Sequence, residues 1–239
     1  MPHSDSDDLA VRLARSASAF ATPDTLEGVA QAICEEARGY VPDADAASVS
    51  LLLTGGRIET VAATSPECLQ VDRYQEEHRE GPCASAVREA EVTHLQDTAT
   101  DREWPRFSAW AAEHGVGSMM AIQLQTFEAD ETHPQLGRAG IGALNFFSPT
   151  AHAFDEDAER VAGLLAVHAS LALGATQLRD QLTAAVDSRD LIGQAKGILM
   201  SRLGIDDEAA FGVLRDRSRN TNVRLVEVAR SVVEGPTTT

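Results

Sequence analysis

The chain contains nineteen arginines but a single lysine, and that lysine lies between two residues with small side chains. Lys196 is flanked by Ala195 and Gly197, and the sequence predicts that it lies on a turn where a second backbone can approach. A compact ammonium in such a setting suits a phosphate group or a loop base. One alternative stays open, a surface lysine whose aliphatic stem covers a helix crossing.

A second group of cationic and amide side chains surrounds the junction between the last two predicted helices. It consists of Arg215, Arg217, Arg219, Asn220, Asn222 and Arg224. Guanidinium groups bind phosphates through paired hydrogen bonds or stack on unpaired bases, and asparagine can pair with a base edge. The cluster therefore predicts contact with nucleic acid, with Arg189 and Arg202 as weaker candidates. The alternative is a solvated arginine face that Asp216 and Glu227 balance.

The distribution of charge is compatible with this role although the formal net charge is −17. Residues 183–234 contain eight basic and eight acidic side chains, which leaves 12 of the 20 basic and 29 of the 37 acidic residues for the remainder. Excess carboxylate repels phosphate. Nucleic acid is therefore disfavoured as a partner of the acidic part and remains compatible with the neutral C-terminal part.

Composition predicts a folded cytoplasmic protein of two domains. The hydrophobic fraction is 43%, the charged fraction is 24%, and the length of 239 residues suffices for one large and one small domain. The opening MPHSDSDDLA is acidic, unlike a secretory signal. We find no apolar run that approaches the roughly 18 residues of a membrane span, and we therefore expect no membrane association.

The three cysteines, Cys34, Cys68 and Cys83, lie far apart without a CxxC pair, so neither a disulfide framework nor a zinc site is predicted. Cys83 lies at a predicted helix start, where a thiol pKa can be lowered, so a redox switch stays open as an alternative. The sequence contains no phosphate-binding glycine loop, GxSxG elbow or HExxH pair. We therefore predict no enzyme activity, and the residues identify no cofactor.

The first two thirds of the chain alternate between β-prone runs and helical patterns. This indicates an α+β fold with a mainly antiparallel sheet, because the first two strands are joined by the tight turn Thr54-Gly55-Gly56. The predicted strands are 47–53, 57–63, 92–95, 118–125 and 140–147, with an acidic loop at 128–137. The predicted helices are 9–38, 66–78, 82–90 and 104–114.

The last third of the chain is predicted to be entirely helical. A long helix begins near Phe154 and carries a heptad-like stripe formed by Val161, Leu164, His168, Leu171, Ala175, Leu178 and Leu182, which favours a homodimer. The helical face continues to Leu203, and two further helices follow that Asp206 and Asn222 are predicted to cap. These three helices form a bundle. The spacing places Phe211 in its core, so no aromatic platform for base stacking is expected.

The segment from Ser188 to Val233 resembles the ANTAR family. The resemblance is carried by Gln194-Ala195-Lys196-Gly197-Ile198-Leu199-Met200, Ala209-Ala210-Phe211, Leu214-Arg215 and Leu225 to Ala229. It implies a three-helix domain that binds paired hairpins in leader transcripts and prevents a terminator from forming. The residues assigned to RNA binding are Arg189, Gln194, Lys196, Gly197, Arg215, Arg219, Asn220, Asn222 and Arg224.

The segment from Ala47 to Leu173 resembles a GAF domain. The matching elements are Glu80-Gly81-Pro82-Cys83, Trp104-Pro105, Gly142-Ala143-Leu144-Asn145 and Phe154-Asp155-Glu156. The resemblance implies a pocket for a small-molecule effector, which stays unidentified. Cyclic-nucleotide-binding members carry Asn-Lys where this chain has Asn145-Phe146, so that ligand is not assigned.

The two resemblances predict a sensor domain over residues 1–175 and an RNA-binding domain over residues 176–235. Our hypothesis is a ligand-responsive antitermination regulator in which effector occupancy changes the exposure of the cationic side chains. The alternative is a signalling module whose bundle docks another protein and does not bind RNA.

Overall fold

The computed structural model of the chain describes residues 16, 18–20, 22–53, 56–88, 91–125 and 142–235. Three predicted features fall outside these residues: most of the helix before residue 22, the turn residues Thr54 and Gly55, and the acidic loop 128–137. The chain divides into two compact units, Met1–Gln177 and Leu178–Thr239.

The first unit is built around an antiparallel sheet of five strands in the order β2-β1-β5-β4-β3. The strands are β1 (Ala46–Leu52), β2 (Ile58–Ala63), β3 (Val92–Leu95), β4 (Ser118–Leu124) and β5 (Gly142–Ser148). Each lies within two residues of its predicted bounds. The α+β class with a mainly antiparallel sheet is therefore confirmed.

Helices pack on both faces of this sheet. They are α1 (Leu26–Tyr40), α2 (Pro66–His78), α3 (Pro82–Arg88), α4 (Pro105–Glu113) and the N-terminal part of α5 (Glu156–Leu203). Prolines begin α2, α3 and α4, where the missing N–H has no intrahelical partner to lose. Side chains cap several N-termini, since Thr25 accepts from the Gly28 amide and Asp155 from the Ala158 amide.

Alternation along the strands separates two sets of core residues. Ala47, Val49 and Leu51 of β1 pack with α1 and α5 in one apolar cluster. The opposite face of the sheet contributes Met119, Ala121, Ala143 and Phe147, which pack with α2, α3 and α4. The sheet is thus the middle layer of three.

Helix α5 departs from the expectation that no segment could span a membrane. It contains an 18-residue window with mean hydropathy 1.5, of which 44% is buried inside the protein. The buried residues include Ala162, Leu165 and Ala169, which belong to the sheet-facing core. Packing in the folded domain therefore accounts for the buried part of this apolar helix.

The second unit consists of the C-terminal part of α5 together with α6 (Asp207–Thr221) and α7 (Leu225–Glu234). Asp206 caps α6, because its Oδ1 accepts a hydrogen bond from the Ala209 amide at 2.9 Å. Gly204, with φ of 65°, ends α5 as predicted. The buried residues of the bundle are Ala195, Ala210, Leu214, Val228 and Ala229.

Three predictions about this unit are wrong. Lys196 lies within α5 rather than on a turn, because the helix runs on to Leu203. Asn222 does not cap α7 but ends α6 in the left-handed conformation, with φ of 53°, and Arg224 precedes α7 instead. Phe211 is 37% exposed because Ala210 and Leu214 already occupy the inward positions of α6.

The small core of the bundle yields a stability prediction. Leu214→Ala should lower the free energy of unfolding by roughly 2–4 kcal/mol, because it leaves a cavity beside Val228 and Ala229. Val213→Ala is the matched control on the same helix, and its side chain is 41% exposed. Urea denaturation followed by circular dichroism of the full chain measures both. Equal losses for the two variants would contradict this assignment of the core.

Candidate functional site

The predicted RNA-binding residues of α5 lie on two opposite flanks of that helix. Residues seven apart lie on one side of a helix, so Arg189 and Lys196 share a flank. Gln194 and Lys196 are two residues apart and project to opposite sides. Gln194 and Gly197, three apart, share the second flank. The four assigned residues of α5 therefore form two separate pairs.

The ammonium of Lys196 is paired with a carboxylate. Its Nζ lies 2.6 Å from Oδ1 of Asp207, in the first turn of α6. The side chain of Lys196 is 23% exposed and that of Asp207 is 67% exposed, so water reaches the pair and reduces its net contribution to stability. Any phosphate that binds Lys196 must compete with Asp207.

The second flank of α5 borders a shallow depression of about 510 Å³. Its lining contains two assigned residues and one of the weaker arginine candidates. The lining residues are Gln194, Gly197, Ile198, Ser201 and Arg202. The lining combines hydrogen-bonding groups with one guanidinium, which is a surface that a polar ligand can occupy.

Helix α6 carries the densest cationic surface of the bundle. Arg215 and Arg219 are one helical turn apart and both are exposed. Asn222 follows Arg219 by three residues and is also exposed, and its backbone N–H donates to the Ser218 carbonyl. Arg215 and Arg219 share a flank of α6, and Asn222 lies just beyond the last residue of the helix. Asn220 projects from a different side of the helix, because it is one residue from Arg219.

Arg224 is exposed at the turn between α6 and α7, and it precedes the first residue of α7. The turn is held by Ser218, whose Oγ donates to the Val223 carbonyl at 2.6 Å. Eight of the nine assigned residues are thus exposed, and Lys196 is the half-buried exception. The arrangement presents guanidinium and amide groups outward on α6.

The first unit buries a group of hydrogen-bonded polar side chains between the sheet and α2. We call it the Asp72 cluster, and its members are Ser48, Ser50, Thr60, Asp72, Gln75 and Asn145. Oδ2 of Asp72 accepts from the hydroxyls of Ser48 at 2.6 Å and Thr60 at 3.1 Å. The amide of Asn145 donates to Ser48 and Ser50 at 3.1 and 3.2 Å.

Two groups of this cluster, the carboxylate of Asp72 and Oδ1 of Asn145, are incompletely compensated for their burial. Burial raises the pKa of Asp72 to about 7, although hydrogen bonds from Ser48 and Thr60 act in the opposite direction. Oδ1 of Asn145 is buried and has no hydrogen-bond partner among the described residues. Buried polar groups are normally paired. The cluster can therefore accept a further hydrogen bond or lose its negative charge near neutral pH.

The sequence analysis does not single out Asp72, because residues 66–78 form a polar helical pattern. One signal was available. Ser48 and Ser50 lie two residues apart in the otherwise apolar strand β1, so both point to the same face of the sheet. Two buried hydroxyls on one face require polar partners on the helix that covers it.

Several residues that carried the resemblance to a GAF domain have identifiable structural roles. Oε1 of Glu80 accepts from the amides of Arg106 and Phe107, which caps α4. Gly81 has φ of 129°, and a Cβ there would lie 2.5 Å from Oε1 of Gln75. That same oxygen accepts from the Cys83 amide at 2.9 Å. This motif therefore joins α2, α3 and α4 around the Asp72 cluster.

The cysteines do not provide a reactive thiol in the described structure. All three are buried. Burial raises the pKa of Cys83 to about 12 and that of Cys68 to about 11, and it also raises the pKa of Cys34. A redox switch at Cys83 requires the opposite shift, so the lowered pKa considered from its position at a helix start is wrong.

Asp72 yields a prediction about pH. Its pKa of about 7 in the folded protein exceeds the ordinary value of 3.8, so the folded protein retains a proton that the unfolded chain releases between these values. The contribution of Asp72 to the free energy of unfolding therefore falls as the pH rises through this window. The free energy of unfolding of Asp72→Asn, measured relative to that of wild type, should therefore increase by roughly 2 kcal/mol as the pH rises from about 5 to about 8.

Asp97→Asn is the control in the same urea-denaturation experiment. Backbone and side-chain hydrogen bonds from Ala99 and Thr100 lower the pKa of Asp97. Its stabilising contribution is therefore lost only at acid pH, and its effect should stay constant between about pH 5 and about pH 8. A constant difference between Asp72→Asn and wild type across that window would refute the raised pKa.

Comparison with known proteins identifies both units. The profile of the GAF domain matches residues 23–174, and the profile of the ANTAR domain matches residues 180–233. No curated protein matches the chain significantly.

Solved structures similar to the chain include a photosensory core module of a phytochrome from Stigmatella aurantiaca, with 12% identity and a TM-score of 0.57. That match covers 88% of this chain and 44% of the phytochrome. A bacteriophytochrome from R. palustris gives 11% identity and a TM-score of 0.57, with 90% of this chain and 48% of the other covered. This chain thus spans less than half the length of either phytochrome structure.

The GAF domain of a phosphoenolpyruvate-protein phosphotransferase from Acinetobacter matches with 15% identity and a TM-score of 0.51. The match covers 73% of this chain and 98% of that domain. At such low sequence identities the similarity shows a shared fold and nothing more. The GAF profile covers more than half of the residues, and the five-stranded sheet has the corresponding fold. The chain therefore belongs to the GAF domain family, and its GAF domain is followed by an ANTAR domain, a domain of RNA-binding antitermination regulators.

Proposed function

We propose that this protein is a transcription antitermination regulator that binds hairpins in leader transcripts and responds to a small-molecule effector. The observation that carries the proposal is the ANTAR match over residues 180–233, a segment whose cationic side chains are mostly exposed. An RNA-binding surface needs outward cations that can reach phosphates, because phosphate contacts supply much of the affinity.

The RNA surface comprises the flank of α6 with Arg215 and Arg219, together with Asn222 and Arg224 at the following turn. Guanidinium groups there bind backbone phosphates, and the amides of Asn220 and Asn222 are available to base edges. On α5, Arg189 and Lys196 supply charge from one flank, and Gln194 and Gly197 form part of the depression on the other.

The effector site lies at the Asp72 cluster in the GAF domain. This assignment is supported by the buried Oδ1 of Asn145, which can accept a hydrogen bond from a ligand, and by the raised pKa of Asp72. A polar molecule with a donor group suits these atoms.

The protein acts as a homodimer through α5. Large apolar side chains recur on this helix at three-, four- and seven-residue steps and are exposed to solvent. They are Leu164, Val167, Leu171, Leu178, Leu182 and Val186. Such spacing is typical of a coiled-coil seam. Val161, which belonged to the predicted stripe, instead packs in the GAF core.

The proposed function places the protein in the cytoplasm. It involves no catalysis, because GAF and ANTAR are regulatory domain families. A second candidate function is docking of a regulatory protein partner. It is favoured by the exposed apolar residues Leu203, Val213 and Val223 of the second unit. Retention of a protein partner by a chain that binds no leader RNA would favour this second function.

The flank of α6 yields a binding prediction. Arg215→Ala and Arg219→Ala should each weaken binding to a two-hairpin leader RNA by roughly tenfold, because each removes charge-assisted hydrogen bonds to phosphate. Each variant should also show a shallower dependence of affinity on salt. Gel-shift titrations at several salt concentrations measure both effects.

Arg217→Ala is the matched control for these variants. It removes the same charge from the same exposed helix, but Arg217 projects from another side because it is two residues from each of the others. Its affinity should stay close to that of wild type. Equal weakening by all three variants would show a general charge effect and would contradict the assigned flank.

The ion pair of Lys196 yields a second binding prediction. Asp207→Asn should raise RNA affinity by about threefold, because it frees the ammonium of Lys196 from its carboxylate partner. Asp206→Asn removes the neighbouring carboxylate while it preserves the cap of α6, since asparagine caps as well as aspartate. If the two variants gain affinity equally in fluorescence anisotropy, Lys196 does not contact RNA.

A further inference from the structure

Phe211 is a partly exposed aromatic residue that lies outside the buried core of the bundle. The inward positions of α6 are filled by Ala210 and Leu214, which are 0% and 1% exposed, whereas Phe211 is 37% exposed. The bundle covers most of this residue, and the remaining part is open to solvent. The ring is therefore available to a partner.

The residues that follow Phe211 on the same flank of α6 are cationic. Arg215 and Arg219 follow it at four-residue steps along the helix. One turn rises by roughly 5.4 Å, so the ring and the two guanidinium groups form one continuous stripe.

The charge along this stripe is directional. Glu208 lies three residues before Phe211 and is exposed, so the end of the stripe nearest the start of α6 is negative. The end beyond Phe211 carries two guanidinium groups. A polyanion that covers the ring is therefore repelled from the first turn of α6 and attracted towards Arg215 and Arg219. An aromatic ring beside two phosphate-binding groups matches an unpaired nucleotide better than an apolar protein surface.

We propose that Phe211 is a stacking platform for an unpaired loop base, while Arg215 holds the phosphate next to that base. This inference rests on the proposed RNA-binding function and specifies which part of the RNA the stripe recognises. Paired bases in a stem cannot expose a face to the ring, so the contact selects loops over continuous duplex. Every base has a π-face, so Phe211 adds affinity for unpaired nucleotides with little preference for base identity.

The test uses the full-length protein and two synthetic RNAs, a two-hairpin RNA with unpaired loops and a continuous duplex of the same stem sequence. Phe211→Leu removes the aromatic face but keeps an apolar side chain of good helix propensity. We expect about a tenfold loss of affinity for the hairpin RNA and no change for the duplex. Phe211→Tyr keeps the ring and should bind both RNAs like wild type.

Two further measurements separate stacking from a loss of structure. Val213→Ala, on another side of the same helix, should leave both affinities unchanged, and circular dichroism should be the same for all variants. An aminopurine base in the loop should lose fluorescence when wild type binds, and should lose less when Phe211→Leu binds at saturation.

The outcomes distinguish this inference from the function on which it rests. If Phe211→Leu binds the hairpin RNA as tightly as wild type does, the stacking contact is refuted while RNA binding stands. Equal weakening for hairpin and duplex also refutes a role in loop recognition. If wild type binds neither RNA, the proposed function itself fails, and Phe211 is then left as a contact for a protein partner.

Discussion

Five buried side chains, Ala195, Ala210, Leu214, Val228 and Ala229, determine where the candidate RNA-binding residues of α5 and α6 point. Four of the five are alanine or valine, whose small volume allows the helices to approach closely. Once these positions face inward, helical periodicity fixes the direction of all the others. Arg215 and Arg219 then project outward on one flank of α6, and Lys196 meets Asp207 at the start of that helix. The cationic surface is thus a consequence of the core and needs no separate structural support.

The GAF domain differs from the bundle in that it buries a group of polar side chains against the central strands of its sheet. A hydroxyl or carboxylate removed from water costs free energy unless hydrogen bonds replace the lost hydration. The Asp72 cluster meets this requirement for most of its atoms and leaves one oxygen of Asn145 without a partner among the described residues. Networks of this kind tolerate little disturbance. Under the proposed function, an effector with a donor group would supply the hydrogen bond that this oxygen lacks.

Local sequence patterns were sufficient for the secondary structure and the fold class, since strand alternation, Gly-Pro breaks and proline positions act within a few residues. The errors arose where packing between helices decides. Asn222 was expected to cap a helix, but the preceding helix continues to Thr221 and asparagine readily adopts the left-handed conformation that ends it. Phe211 was placed in the core because its spacing fits, although two smaller neighbours fill that core. Asp72 was overlooked because Ser48 and Ser50 of β1 indicate that the covering helix needs an inward polar residue, whereas only the register of α2 against the sheet identifies which one it is.

The rarity of lysine in this chain has a chemical consequence for the bundle. Lys196 is the only residue of the 239 with a side-chain primary amine, and its nitrogen is held against a carboxylate. Acylation of that nitrogen removes its positive charge and abolishes the attraction between α5 and the first turn of α6. Amine-directed reagents therefore have one side-chain target in this protein, located where two helices of the RNA-binding domain meet.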